Sequence, residues 1–425
     1  MKVLIIGGGG REHALGWKLS QSAKVTKLYF APGNAGTLFL GENVPINALA
    51  FAELFKFAKL KAVDLTIVGP EAALVEGIVD LFTQSGLKIF GPSKAAARLE
   101  SSKAWAASFM NQHSIPQPKS SVFSDLKQAQ QYIQSEGWQN IVIKADGLAA
   151  GKGVVVPNSG QEADEALESI LVKKIFGQAG EKVVIQERLT GPEVSILAFS
   201  DGKTAKLLVS SQDHKRVFDH DKGPNTGGMG TYAPVPFVKD KLLNKIRETI
   251  IQPTIDGMRK EGFLYKGILY PGLMLTKSGL RVLEYNARFG DPETQPLMML
   301  LDSDLAKIMI ACVEGTLDET EVKFKPGAAV CVVLAAEGYP GKYQKGEVIN
   351  GLNKIMDSDI QVFHAGTALR YNDVITNGGR VLGITSYGKN IKDALQKVYA
   401  VIGKQGINFK GMKYRHDIGK QALTK

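Results

Sequence analysis

Short strand-like runs alternate with helical stretches through the first hundred residues, and this alternation constrains the fold more than any other feature. The runs are KVLIIG, KLYFAPG, DLTIVGP and KIFGP, with helical stretches such as REHALGWKLSQ and EAALVEGIVDLFTQSG between them. Such alternation is typical of βαβ units, which build a parallel sheet. Because each run ends in glycine or proline, the backbone at the carboxyl edge of this sheet can approach a ligand closely. We therefore predict an α/β fold with a ligand at that edge.

The length of the chain predicts several domains. Domains have about 150 residues on average, so a chain of 425 residues should form more than one. The two prolines of IPQPKSS follow a predicted helix over 102–112 and mark a boundary, because proline interrupts a helix. We predict a parallel α/β domain at 1–102, a domain of two α+β lobes at 103–325 with a mobile flap lobe at about 120–190, and a small α+β domain at 326–425. The runs GILYPGLMLT and LRVLEYNARFG predict a hairpin.

Charge and composition limit the partners. The net charge is +10, yet lysine and arginine are dispersed along the chain, so we expect attraction of anionic small molecules and no nucleic-acid partner. Cys312 and Cys331 lie in apolar runs, which predicts reduced core thiols and a cytoplasmic location. The longest apolar run, at 328–336, has nine residues, too short to span a membrane. The oligomeric state is left open, with a monomer as the favoured expectation.

The loop GGGGREH follows the first strand. The dinucleotide fingerprint G-x-G-x-x-G/A fails here, because Glu12 or His13 stands where the third small residue is needed. The loop still presents backbone N–H groups before a helix, which favours an anion such as a sugar phosphate. A simple tight turn from strand to helix is an equally good interpretation.

The stretch IVIKADGLAAGKGVVV contains a second glycine-rich loop. Only three residues separate Gly147 from Gly151, and Lys152 is followed by Gly153 instead of a hydroxyl residue, so this is no Walker loop. The valines after Gly153 favour a strand, and the loop therefore joins two strands. A flap that covers phosphates with its N–H groups and a lysine fits this pattern, and a plain hairpin is the alternative.

The run LRVLEYNARFGDPETQ suggests a metal site. Glu284 and Asn286 are two residues apart on a predicted strand and therefore share one face. A carboxylate and an amide oxygen on a common face suit magnesium, which takes oxygen ligands and retains phosphate oxygens as others. Arg288 continues that face, where its guanidinium would neutralise charge on a transferred phosphoryl group. A solvent-facing polar strand is the alternative.

The order of these motifs resembles the ATP-grasp superfamily, and within it the phosphoribosylamine–glycine ligase family, also called glycinamide ribonucleotide synthetase. The segments that carry the resemblance are GGGGREHAL, APGNAGT, DLTIVGPEA, KIFGPS, IVIKADGLAAGKGV, SQDHKRV, GPNTGGMGTY and NARFGDPETQP, and it extends from Met1 to RHDIG near the carboxyl end. The resemblance implies an ATP-grasp fold that encloses ATP. It also implies phosphorylation of the glycine carboxylate by ATP, followed by capture of the glycyl phosphate by the amine of 5-phosphoribosylamine, a step of purine biosynthesis.

The resemblance also implies roles for individual residues. Glu284 and Asn286 would ligate Mg²⁺ or Mn²⁺, and Arg288 and Lys152 would act on the transferred phosphoryl group. The residues expected to bind ATP are Lys103, Lys144, Gly147, Gly151, Lys152, Gly153, Gln186, Glu187, Leu189 and Glu193. The residues expected to bind the substrates are Gly8, Gly9, Gly10, Arg11, Glu12, Asn34, Asp213, Lys215, Arg216, Asn225, Thr226, Gly227 and Asp291.

Three other functions stay in consideration. Another ATP-grasp carboxylate ligase or carboxylase would use a different acceptor, such as bicarbonate. A non-catalytic nucleic-acid binder would show strongly salt-dependent retention of DNA or RNA. A dehydrogenase is disfavoured by the failed fingerprint. His214 is expected to pack in a loop, the role of His13 is open, and no histidine is assigned as a general base.

Overall fold

The computed structural model describes residues 1–149 and 153–423. Its amino-terminal unit is a five-stranded parallel sheet in the order β3-β2-β1-β4-β5, as the sequence predicts. The elements are β1 (Lys2–Gly7), α1 (Gly10–Leu19), β2 (Lys27–Pro32), β3 (Glu42–Asn43), α2 (Phe51–Leu60), β4 (Leu65–Val68), α3 (Glu71–Glu76), α4 (Ile78–Gln84) and β5 (Ile89–Phe90). Two helices follow, α5 (Arg98–Ser101) and α6 (Lys103–Gln112).

The next unit is a separate lobe with its own core. A four-stranded sheet in the order β6-β9-β7-β8 packs against two helices through a cluster of buried side chains confined to residues 123–185. Its elements are β6 (Ser120–Phe123), α7 (Leu126–Glu136), β7 (Ile141–Ala145), β8 (Val154–Val155), α8 (Gly160–Leu167) and β9 (Val183–Glu187). β7 and β8 pair antiparallel, so the glycine-rich loop does join two strands.

The third unit carries the predicted hairpin. β17 and β18 pair antiparallel, with a bulge after Gly272. The strands before the hairpin are β10 (Glu193–Ser195), β11 (Ala198–Asp201), β12 (Ala205–Leu207), β13 (Gln212–Asp213), β14 (Arg216–Phe218), β15 (Lys222–Asn225) and β16 (Gly230–Ala233). They are followed by α9 (Asp240–Ile246), α10 (Gln252–Lys260), β17 (Lys266–Thr276), β18 (Gly279–Asn286), α11 (Thr294–Leu300) and α12 (Leu305–Glu314).

The carboxyl-terminal unit shares a sheet with the third unit. β13 and β16 continue into the last strands in the order β13-β16-β19-β23-β20, so the two units cannot move freely past each other. The remaining elements are β19 (Ala328–Ala335), β20 (Ile360–His364), β21 (Thr367–Arg370), β22 (Asp373–Thr376), β23 (Arg380–Gly388) and α13 (Ile391–Ala400).

Burial explains why β1 and β19 read as continuous apolar runs. Leu4 and Ile6 on one face of β1 belong to one large core cluster, while Val3 and Ile5 on the other face belong to a second, as expected for a strand covered on both sides. Every residue of β19 is buried. The nine-residue apolar run is thus an internal strand, and no helix of the described residues is long and apolar enough to cross a membrane.

Candidate functional site

A cleft of about 1070 Å³ opens between the four units. This volume lies at the upper end of the range for small-molecule sites, so there is room for more than one ligand. Residues from the amino-terminal sheet, the separate lobe, the β17–β18 hairpin and the carboxyl-terminal unit all line it. The predicted site residues that line it are Arg11, Lys103, Lys144, Gly147, Gly153, Gln186, Glu187, Leu189, Glu193, Asp213, Lys215, Arg216, Asn225, Thr226, Gly227, Glu284, Asn286, Arg288 and Asp291.

Two lysines project into the cleft from the side of the separate lobe. Lys144 lies on β7, is 6% exposed, and donates from Nζ to the carbonyl oxygen of Leu283 at 3.0 Å. Burial is the main cause that lowers the pKa of Lys144 to about 8; Glu284 opposes this shift, and the charges of Lys103 and Lys215 contribute to it. Lys103 begins α6 and donates from Nζ to the carbonyl oxygen of Gly147 at 2.9 Å. The Lys103 ammonium group therefore contacts the start of the glycine-rich loop, and the Lys144 ammonium group contacts the β17–β18 hairpin.

The local structure of α6 explains this placement of Lys103. The hydroxyl of Ser102 caps the helix by accepting the N–H of Trp105 at 3.1 Å. The carboxylate of Asp146, just after β7, accepts the N–H of Ala104 at 3.0 Å and the hydroxyl of Ser102 at 3.1 Å. The start of the helix and the start of the loop are thereby fastened together.

Glu284 and Asn286 point from one face of β18 into the cleft, as predicted from their spacing. The nearest ion pair to Glu284 is with Lys215, at 3.8 Å between Nζ and Oε1, and Lys215 also lies 3.2 Å from Oε2 of Glu193. Burial alone would raise the pKa of Glu284, but Lys215, Lys144 and Lys103 outweigh it and lower the pKa to about 2. Glu284 is therefore a carboxylate at neutral pH.

The donor set at this point of the cleft suits a hard divalent cation. Glu284 offers a carboxylate and Asn286 an amide oxygen, which are ligands that magnesium accepts together with phosphate and water oxygens. Among residues 1–149 and 153–423 there is no group of three or more His, Cys, Asp and Glu side chains that could hold a metal ion. A metal bound here would therefore depend on oxygens of its ligand as well as on the protein.

Arg288 is held by two carboxylates that the sequence interpretation did not single out. Its Nε donates to Oε2 of Glu71 at 3.1 Å, and one terminal nitrogen lies 3.2 Å from Oε1 of Glu100. Burial would raise the pKa of Glu71, but Arg288 and Arg11 lower it to about 2. Glu71 follows the run DLTIVGP at the ligand-binding edge of the sheet, and this position was the signal that could have identified it.

The loop before α1 is arranged differently from the simple anion site that its glycines suggest. The N–H of Gly9 donates to the Glu12 carboxylate at 2.6 Å, so a side chain of the protein occupies this donor. Asn34 is occupied as well, because its Nδ2 donates to the carbonyl oxygens of Gly8 at 2.9 Å and His364 at 2.8 Å. Of the predicted residues in this region, only Arg11 is among the described residues that line the cleft. The other predicted residues of this region, which are not among those lining the cleft, are Gly8, Gly9, Gly10, Glu12 and Asn34.

The opposite wall consists of the segment from β13 to β16. Asp213, Lys215, Arg216, Asn225, Thr226 and Gly227 all line the cleft there. Burial and the nearby Glu293 raise the pKa of Asp213 well above its ordinary value. Two further cleft residues that the sequence did not reveal, Tyr339 and Arg380, reach this wall from the carboxyl-terminal unit.

His13 and His214, the two histidines considered from the sequence, are buried. Burial lowers the pKa of His214 to about 4 and that of His13 to about 3. His214 accepts the N–H of Gly419 at Nε2, at 3.2 Å. His13 accepts the N–H of His364 at Nδ1, at 2.8 Å. One nitrogen of each ring is thus engaged as a hydrogen-bond acceptor.

The predicted adenine-side residues lie at the end of β9. Gln186 is 4% exposed, whereas Glu187 is exposed and accepts the N–H of Lys119 at 3.3 Å. Leu189 follows in the loop that leads to Glu193. Two residues of the predicted flap, Gly151 and Lys152, lie outside the described residues.

Comparison with family models covers nearly the whole chain. The phosphoribosylglycinamide synthetase N domain matches residues 1–100, the ATP-grasp (A) domain of that family matches 101–294, and its C domain matches 329–421.

Curated relatives are similar over the full length of this chain. The phosphoribosylamine–glycine ligases of Vibrio parahaemolyticus and Pseudomonas aeruginosa are each 50% identical, with 100% of this chain and 99% of the relative aligned. The trifunctional purine biosynthetic protein adenosine-3 of Gallus gallus is 50% identical over 100% of this chain and 42% of its own length.

Solved structures show the same architecture. The phosphoribosylamine–glycine ligase of Thermotoga maritima superposes with a TM-score of 0.84 at 35% identity, covering 98% of this chain and 100% of that one. Biotin carboxylase from Campylobacter jejuni superposes with a TM-score of 0.76 at 14% identity, covering 97% and 92%. The second likeness shows the fold alone.

Proposed function

The chain belongs to the phosphoribosylglycinamide synthetase family, and on that premise we propose that it joins glycine to 5-phosphoribosylamine at the expense of ATP. The products are glycinamide ribonucleotide, ADP and phosphate, and the reaction is a step of purine biosynthesis. In the proposed sequence, the glycine carboxylate attacks the terminal phosphorus of ATP and ADP leaves. The amine of phosphoribosylamine then attacks the carbonyl carbon of the glycyl phosphate, the C–O bond to phosphate breaks with its electron pair on the phosphate, and the proton of the amine passes to that phosphate.

The ATP-grasp fold implies the use of ATP and of a divalent metal ion. We propose that Glu284 and Asn286 hold Mg²⁺, with Mn²⁺ as the alternative. The metal would neutralise charge on the phosphate groups. Lys103 and Lys144 would bind the phosphates beside it, and the loop 147–153 would cover them. Gln186, Glu187 and Leu189 would contact adenine, and Glu193 the ribose.

Positioning and charge neutralisation explain how such a site would accelerate the reaction. A carboxylate is a poor electrophile until phosphorylation provides a leaving group, and the transferred phosphoryl group needs charge compensation more than covalent help from the protein. In the proposal, Arg288 and Lys152 supply that compensation in addition to the metal. The cover over the cleft would exclude water from the hydrolysable acyl phosphate.

One observation carries the proposal: Lys144 and Glu284, from opposite sides, line the same cleft. They belong to different lobes, β7 and β18, yet Lys144 Nζ donates to Leu283, the neighbour of Glu284. Cationic groups for phosphates and an oxygen-donor pair for a metal therefore face one space, which is large enough for a nucleotide and a second substrate.

The proposal is tested by ADP release. The protein is incubated with ATP, Mg²⁺, glycine and freshly prepared phosphoribosylamine, and ADP and glycinamide ribonucleotide are measured. We expect ADP release that requires both glycine and phosphoribosylamine for continued turnover. Absence of glycine-dependent ADP would refute the proposal, and ADP release with bicarbonate in place of glycine would indicate a carboxylase.

Three further expectations belong to the same proposal. The substrates are small molecules, and we propose a monomer that acts in the cytoplasm, where buried free thiols such as Cys312 and Cys331 are the rule. The predicted domain boundaries, 1–102, 103–325 and 326–425, also stay as proposals. So does the mobility of the lobe at about 120–190.

A further inference from the structure

The turn formed by Asn225, Thr226, Gly227 and Gly228 is held from behind by an arginine of the carboxyl-terminal unit. Arg380 begins β23, and its side chain is 21% exposed. One terminal nitrogen donates to the carbonyl oxygens of Gly227 at 2.5 Å and Gly228 at 3.3 Å. The guanidinium therefore fixes two consecutive peptide groups of a turn that lines the cleft.

The same guanidinium also fixes Asp291. It donates to the Asp291 carbonyl oxygen at 2.6 Å and to its carboxylate Oδ2 at 2.9 Å. That carboxylate lies beside the amino-terminal loop, since a Cβ added to Gly9 or Gly10 would be 3.6 Å from one of its oxygens. Arg380 thus links the turn to Asp291.

A second residue of the carboxyl-terminal unit supports the turn. The hydroxyl oxygen of Tyr339 accepts the N–H of Gly227 at 3.1 Å. On the other side the fit is close, because a Cβ at Gly228 would lie 2.4 Å from Cδ of Pro292 and 2.7 Å from Oδ1 of Asp213. The turn is therefore confined between the carboxyl-terminal unit and Asp213.

Through Thr226, the turn 225–228 is also connected to Lys215 and the charged groups around it. The N–H and the hydroxyl of Thr226 both donate to the carbonyl oxygen of Lys215 at 2.8 Å. The ammonium of Lys215 lies 3.2 Å from Glu193 and 3.8 Å from Glu284. A displacement of the turn would therefore move the backbone that carries this ammonium group.

Lysine could not reproduce these contacts. The four acceptors are the carbonyl oxygens of Gly227, Gly228 and Asp291 and the carboxylate of Asp291. The planar guanidinium can reach all of them because its N–H donors are spread over several nitrogens, whereas the ammonium group of lysine offers three donors around one atom. The chemistry of Arg380 is therefore matched to holding peptide carbonyls and one carboxylate in a fixed relation.

We propose that Arg380 is a positioning residue: it sets the place of the turn 225–228 and of the Asp291 carboxylate against the substrates. It acts through these groups and not on the reacting atoms. The inference rests on the proposed function for its kinetic consequences, but its structural content is independent of the reaction.

The first experiment compares Arg380→Lys with wild type by hydrogen exchange and by kinetics. We expect faster amide exchange in a peptide covering 225–230, and a fall of about 10- to 100-fold in kcat/KM for glycine and phosphoribosylamine, the range expected for a displacement near 1 Å. Binding of an ATP analogue is expected to stay within about twofold of wild type, because the predicted ATP residues other than Glu193 belong to α6 and to the segment 144–189. Arg370→Lys, an exposed position in the same unit, is the matched control.

A second variant keeps the inference testable should Arg380→Lys fold poorly. Tyr339→Phe removes only the hydroxyl that accepts Gly227 N–H, and we expect a smaller change of the same kind, not additive with Arg380→Lys because both act on one turn. The inference is overturned if exchange at 225–230 is unchanged, or if ATP-analogue binding falls as much as kcat/KM. A wild-type protein without glycine-dependent ADP release would refute the proposed function alone, since the exchange measurement needs no turnover.

Discussion

Glu284 shows most clearly how single residues shape this site. Three lysines, Lys103, Lys144 and Lys215, lower its pKa to about 2 against the effect of burial. In turn, the Glu284 carboxylate raises the pKa of Lys144. These charges are mutually dependent, and removal of one changes the protonation of the others.

We expect Glu284→Ala to reduce kcat much more than it weakens glycine binding. The variant loses the carboxylate that we propose as a metal ligand beside the transferred phosphoryl group, and a fall in kcat of about 100-fold or more is expected for such a loss of positioning. Initial rates at varied glycine and Mg²⁺ measure it. Glu284→Gln keeps the side-chain volume, and the exposed Glu181→Ala is the control. An unchanged kcat would show that Glu284 holds no metal during the reaction.

The common face of Glu284 and Asn286 could be predicted because its signal is local. Two residues on a strand share a face whatever the rest of the fold does, so their spacing was sufficient. Arg380, Tyr339 and Glu100 gave no such signal, since each reaches the site only through contacts between distant units. The hydrogen bonds of Asn34 gave no local signal either, because its amide donates to the carbonyl oxygens of Gly8 and of the distant His364.

At the scale of elements, the loop that connects β7 to β8 is packed closely at Gly147, its first glycine. A Cβ added to Gly147 would lie 2.4 Å from the Cβ of Ala179, in the short 3-10 helix Gly177–Gly180. Gly147 also offers its carbonyl oxygen to Lys103. The loop therefore starts from a point fixed on both sides.

We expect Gly147→Ala to raise the KM for ATP by about tenfold, because relief of such a contact costs on the order of 1–3 kcal/mol and displaces the loop from Lys103. Poorer exclusion of water should also release more ADP per glycinamide ribonucleotide formed. Both quantities come from one coupled assay. Gly160→Ala is the matched control in the same lobe, since its Cβ would meet only Trp138 at 3.6 Å. Equal behaviour of the two variants would contradict this role of Gly147.

The sequence predicted the individual strands and their order along the chain better than it predicted how distant strands pair. Alternating runs predicted the parallel amino-terminal sheet, and the β-branched residues after Gly153 predicted the β7–β8 pair, because both are properties of neighbouring residues. The sheet that joins β16 to β19 could not be foreseen, since residues 230–233 and 328–335 are separated by the four helices α9 to α12 and by the hairpin. Such long-range pairing is decided by the packing of the whole chain.

At the scale of the whole molecule, two buried histidines join the first and last units. His13 in α1 accepts the N–H of His364 at Nδ1, and their rings are 5.6 Å apart. Burial lowers the pKa of His13 to about 3, helped by the neighbouring His364, and burial lowers that of His364 to about 4. Both are therefore neutral in the folded protein at pH 5, whereas in the unfolded chain they take up protons below about pH 6.5.

We expect the folded state to lose stability as the pH falls from about 6.5 towards 4. The unfolded chain then binds more protons than the folded one, so stability decreases by up to about 1.4 kcal/mol per pH unit for each histidine.

His13→Asn keeps an acceptor for the His364 N–H but cannot be protonated. Its thermal midpoint should be lower at pH 7.5, because the ring packed on Phe363 is lost, and should fall less between pH 7.5 and pH 5 than that of wild type. His220→Asn, at an exposed residue with a positive φ that asparagine tolerates, should keep the wild-type pH dependence. Equal falls for wild type and His13→Asn would show that protonation of this pair does not govern how the first and last units stay together.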